Sequence, residues 1–137
     1  MLDIVKLHDE TNERMLKVFK IYELANNMEP TDSQKDDLPS AYLLPLTSDL
    51  RAPNVLYDQI NDQAKDEVFG VMIIATVEQL SLARDHVNDV FRSHIHQPEE
   101  KNIPFHEALY VGGELRNIKS NTYTWMEMYK TYTLGGC

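Results

Sequence analysis

Val68-Phe69-Gly70-Val71-Met72-Ile73-Ile74 is the stretch that decides the fold. It lies within an apolar segment from Ala64 to Val77, and it is apolar at both odd and even positions. A half-buried strand alternates between apolar and polar residues. One that is apolar throughout its centre needs cover on both sides, which predicts a central strand. Glu78 to His96 follows as the clearest helix. Leu80, Ala83, Val87, Val90, Phe91 and Ile95 form its apolar stripe, with Leu82 at the flank. Arg84, Asp85, Asn88, Asp89 and Arg92 occupy the other face, and Pro98 stands just beyond the end, where a stop is expected.

Working outward toward the C-terminus, Gln97 to Pro104 is a linker. Ala108 to Val111, Gly112-Gly113 and Glu114 to Ile118 read as a hairpin, because paired glycines satisfy the positive φ angles of a tight turn. Thr122 to Thr133 is a long aromatic strand, with Tyr123, Trp125 and Tyr129 on one face and Met126, Met128 and Tyr132 on the other. Residues 134–137 form a flexible tail.

Toward the N-terminus, residues 47–62 are polar and irregular. A loop that long in a compact domain is either functional or disordered. Ser40 to Leu46 is a short buried strand in which Pro45 marks an edge, an end or a bulge. Met28 to Pro39 is a loop. Leu2 to Met28 has two readings. Met15, Val18, Phe19, Tyr22 and Ala25 fall at helical spacing; the alternative is a helix over Leu2 to Glu13 and a short strand near Leu16 to Tyr22. The order of elements predicts an α+β fold, a mostly antiparallel sheet with helices packed on it, in a single domain over residues 1–137.

Composition narrows the function classes. Of 137 residues, 42% are hydrophobic and 26% charged, an ordinary globular balance. Lys and Arg number 13 against 22 Asp and Glu, a formal charge of −9. That balance argues against a nucleic-acid-binding domain, which needs a basic footprint for phosphates. No apolar run approaches the length of a membrane span, and the opening MLDIVKLHDETNER turns polar too soon for a secretory signal. The single cysteine, Cys137, has no partner for an internal disulfide. The expectation is a soluble intracellular protein.

No constellation of residues announces catalysis. His94-Ile95-His96 has metal-ligand appeal, but residues two apart on a helix point apart, and histidines near a helix C-terminus are favoured by its dipole. His86 lies two turns away from His94, without a Cys or carboxylate at ligand spacing. Asp36-Asp37, Asp66-Glu67 and Glu99-Glu100 read as solvated charge. There is no Gly-x-Ser-x-Gly elbow and no Gly-rich phosphate loop, so neither an enzyme nor a cofactor is expected. In the long loop, Arg51, Asn54, Tyr57 and Asp58 are residue types suited to contact between proteins. Trp125 is expected in the core, and Tyr129 and Tyr132 at a subunit interface.

Three stretches, taken together, resemble a known family. They are Leu38 to Leu46 (LPSAYLLPL) with Ala52-Pro53-Asn54 behind it, Val68 to Ile74 leading into the helix, and Pro104 to Gly113 with the strand Tyr123 to Tyr129 following. Their order and spacing over residues 38–133 are similar to those of the small tail terminator, or tail completion, proteins of long-tailed bacteriophages. Ile95-His96-Gln97-Pro98 stands where many relatives carry Gly-Trp-x-Pro. For the N-terminus the resemblance implies a helix and then a short strand before Ala25.

The resemblance further implies a structural virion protein that forms a homo-oligomeric ring, commonly a hexamer, on the head-proximal end of the tail tube. Its partners would be the tail tube protein, whose polymerisation it ends, and the head–tail connector. DNA would pass through an acidic lumen without specific binding, and no membrane or metal would be involved. Two alternatives stand beside this reading. One is a connector or neck completion protein; the other, from a different class, is a small ligand-binding or metal-dependent α+β enzyme built around His86 and His94.

Overall fold

The computed structural model describes residues 3–26, 37–50, 64–92, 95–96 and 106–134. Asp3 opens the first helix, α1 (Ile4–Met15), by accepting a hydrogen bond from the Lys6 N–H at 3.1 Å, which satisfies one of the first turn's orphan donors. Leu7, Thr11 and Met15, each four residues apart, form its buried stripe. The chain then leaves the helix, and β1 (Ile21–Leu24) lies parallel to the start of β2 (Ser40–Leu50), with Tyr22 beside Ala41. Of the two readings of this region, a helix followed by a strand is the one adopted, but the strand is later than expected: residues 16–18 are a turn, and the strand begins at Ile21. Phe19 and Tyr22 are buried against the core from non-helical backbone. Lys20 N–H donates to the Pro39 carbonyl and Ala25 N–H to the Leu43 carbonyl, each at 2.9 Å, so β1 is held by a distant segment.

β2 outruns the apolar residues that announce it. It continues past Leu46 through Thr47 to Leu50, so the segment expected to be irregular from Thr47 is strand for its first four residues. Its register against β3 (Ala64–Thr76) slips between Pro45 and Thr47, which places Pro45 beside a bulge, beyond β1's last partner Leu43.

β3 is the centre of a five-stranded sheet of order β1-β2-β3-β7-β6, where β6 is Leu109–Lys119 and β7 is Thr122–Leu134. It runs antiparallel to β2 and to β7, pairing with β7 from Ala64↔Leu134 to Thr76↔Thr122; Leu134, expected in the flexible tail, is therefore held in the ladder, and residues 135–137 lie outside the described residues. α2 (Val77–Arg92) follows β3 directly. The Thr76 N–H donates to Gln79 Oε1 at 3.1 Å, which fixes this junction. The sheet and helices make the α+β architecture expected from the order of elements.

The two parities of β3 serve two clusters. Phe69, Val71, Ile73 and Ala75 face the helices, joined by Leu7 and Met15 of α1 and by Ala83, Val87, Val90 and Phe91 of α2. Phe69, Phe91 and Tyr129 form a triangle of rings, with the Phe69 centroid 5.3 Å from Phe91 and 5.6 Å from Tyr129. On the opposite face Met72 packs with Leu44 and Met126. There Gly70 leaves room for Met126, whose Sδ would lie 2.6 Å from a Cβ at that position. The helices are tied to each other as well: the Arg14 guanidinium donates to the Val90 carbonyl, and His86 Nε2 donates to the Arg14 carbonyl at 2.8 Å.

Two local expectations are corrected. α2 ends at Arg92, about a turn before His96. Ile95 and His96 are extended as β4 (Ile95–His96), paired with β5 (His106–Glu107) so that His96 stands opposite His106. A partner ten residues on overrides the helical periodicity there. The second correction concerns the hairpin. β6 passes through Gly112-Gly113 as strand, and the turn into β7 is Ser120-Asn121, with φ of 47° and 66°. Positive φ at both central residues is the geometry that a two-residue hairpin needs, and Asn tolerates it. Gly112, at φ 153°, serves a bulge between Tyr110 and Gly112 instead.

Candidate functional site

On β7 the odd-numbered residues face α2, and one of them is an acid. Glu127 is 0% exposed, and a buried carboxylate is costly unless donors surround it. Trp125 Nε1 donates to its Oε1 at 2.6 Å and Tyr110 OH to the same oxygen at 3.0 Å. Asn88 Nδ2 donates to Oε2 at 2.9 Å, and Asn88 Oδ1 accepts from the Tyr129 hydroxyl. Arg84 Nε lies 3.5 Å from Oε1 without hydrogen-bond geometry, so that tie is electrostatic; its guanidinium stacks over Trp125 at 4.2 Å. Arg84 and Asn88, expected on the solvent face of the helix, thus turn toward the sheet.

Gly113 completes this arrangement. A Cβ there would overlap Glu127 Oε1 and lie 2.7 Å from Trp125 Nε1 and 2.9 Å from Tyr110 OH. Only a residue without a side chain lets β6 lie across the carboxylate. Burial, and next the Glu127 charge, push the Tyr129 hydroxyl well above the ordinary tyrosine range. The Tyr110 hydroxyl is also raised, chiefly by loss of water around it. With its two oxygens occupied by donors from α2, β6 and β7, Glu127 acts as a tie between three elements. Beside it, a cleft of about 140 Å³ is lined by Asn88, Arg92, Ala108, Leu109, Tyr110 and Tyr129.

The sequence-derived candidates scatter. Arg51, Asn54, Tyr57 and Asp58 lie outside the described residues, as does His94. Tyr129, expected at a subunit interface, is 1% exposed and belongs to the chain's own core, stacked on Phe69 and bonded to Asn88. Tyr132 pairs with Asp66 in the β3–β7 ladder, and its side chain is outside the described set. Trp125 packs against the core while remaining partly exposed. His86 spans the two helices. Among the described residues, no group of three or more His, Cys, Asp or Glu is placed to hold a metal ion.

Sequence reasoning missed an exposed apolar strand. β6 is an edge strand, and Leu109, Tyr110, Val111, Leu115 and Ile118 on it are 42–64% exposed. The expected glycine turn had divided this strand in two and hidden its length. Compared with known proteins, the chain matches no family model and no curated protein.

Proposed function

We propose that the chain is a tail terminator: a structural protein whose copies close a ring on the head-proximal end of a phage tail tube. The ring ends tube polymerisation and offers a joining surface to the head–tail connector. The observation that carries this reading is the reach of the β2–β3 hairpin. Its ladder runs on past Phe69, through Ser48↔Glu67 and Asp49↔Asp66, to Leu50↔Lys65. A stiff pair of strands therefore holds side by side the two ends of the segment containing Arg51, Asn54, Tyr57 and Asp58. Ring closure is head-to-tail association, in which one surface of a copy meets a different surface of the next. A segment anchored on a sheet hairpin suits the reaching half of such a contact. The net charge of −9 suits walls past which DNA must slide without sticking.

The test is electron microscopy of the purified chain, alone and mixed with a tail tube protein from the same source, with tube lengths counted. Tubes capped at one end by a ring and halted in growth are expected in the mixture. Tubes that lengthen uncapped at the wild-type rate overturn the reading, and binding to the portal side alone would assign the chain to the connector class.

A further inference from the structure

The outer side of β6 is unmatched: β7 takes one side of the strand, and no described strand takes the other. The strand pairs with β7 without a break from Gly112 to Leu115, between register shifts at Tyr110–Gly112 and at Leu115–Asn117, with Arg116 at the second; that stretch presents its backbone to a further strand, and large apolar side chains stand exposed beside the edge. The charges on it are ordered. Glu114, Leu115 and Arg116 follow one another, and Glu114 and Arg116 form an exposed ion pair within the chain.

We propose that β6 pairs antiparallel with β6 of a second copy of this chain, about a two-fold axis at Leu115. The second copy presents the same three residues in reverse order. Each Glu114 then meets an Arg116 across the junction, and Leu115 meets Leu115. A parallel pairing in register, or an antiparallel one centred on Glu114 or on Arg116, sets like charges opposite each other, which is unfavourable. The ion pair within the chain is exposed and weak, so exchanging it for one across the junction costs little. The pair closes at two copies and covers an apolar edge that would otherwise template open-ended association. It goes beyond the ring reading, which needs a head-to-tail contact, whereas this one is two-fold.

Sedimentation of the full chain over a concentration series tests the pairing, with no tube protein present, so its failure leaves the ring reading standing. The wild type is expected to be a dimer. Glu114→Arg and Arg116→Glu are each expected to dimerise about tenfold or more weakly, since each sets like charges opposite one another at both ends of the junction. Both residues are exposed, so circular dichroism and melting should be unchanged. An equimolar mixture of the two variants is expected to restore the dimer, because a strand with two basic positions then faces one with two acidic positions. A wild type monomeric throughout, single variants that dimerise like the wild type, or a mixture that stays monomeric would each overturn the proposal.

Discussion

A carboxylate facing a helix from the middle of a strand survives burial only where donors reach both its oxygens, and at Glu127 they come from α2, β6 and β7. Replacing Glu127 with Ala leaves Trp125 Nε1 and Asn88 Nδ2 without that acceptor, and urea unfolding should show a loss of about 3 kcal/mol. Gly113→Ala should cost about 1–3 kcal/mol through overpacking. It should cost clearly less in the Glu127→Ala background, because the nearest of the three atoms in its way is the carboxylate oxygen; equal costs in the two backgrounds would remove Gly113 from the arrangement. Tyr22 gives a pH-dependent prediction. Burial pushes its hydroxyl up from 10 to about 12, against a smaller opposing effect of its hydrogen bond with Thr11. Between pH 10 and about 12 the unfolded chain ionises this group and the native chain does not, so stability falls as pH rises through that window. The slope is roughly 1.4 kcal/mol per pH unit for one such group. Tyr22→Phe should flatten the fall in denaturation midpoint over this window, and an unchanged slope would place the alkaline transition elsewhere.

Among the elements, the β6–β7 hairpin shows how a turn two residues long sets the register of a whole edge strand. Ser120 and Asn121 both adopt positive φ, which a β-branched residue tolerates poorly. Asn121→Val should destabilise by about 1–2 kcal/mol, while Asn121→Gly should be neutral or slightly stabilising, read as melting midpoints. The opposite order would return the turn to Gly112-Gly113. α2 obeys its own stripe as far as Phe91 and then yields to β4–β5 pairing.

For the whole molecule, both helices lie on one face of the sheet and are tied to each other through Arg14 and His86. Replacing residues 52–61 with a short turn should leave the fold intact, since the ladder already closes at Leu50↔Lys65. The same variant should abolish tube capping in the tube-length assay. Normal capping with an unchanged melting curve would remove this segment from the ring contact.

Local order, read along the chain, already determined the central strand, the apolar stripe of α2, the two faces of β7 and the irregularity at Pro45. Each of these is written in spacing, because a strand or helix repeats its burial every two or about every 3.6 residues. The parallel seat of β1, the passage of β6 through Gly112-Gly113 and the inward turn of Arg84 and Asn88 were decided only by the tertiary structure. The reason is distance along the chain. Asn88 reads as a solvent residue until Glu127, 39 positions away, is laid against it, and Glu127 is in turn covered by Gly113 and Tyr110 from another strand. Periodicity reports which face of an element is buried, whereas the partner that makes a buried charge tolerable is chosen by the fold.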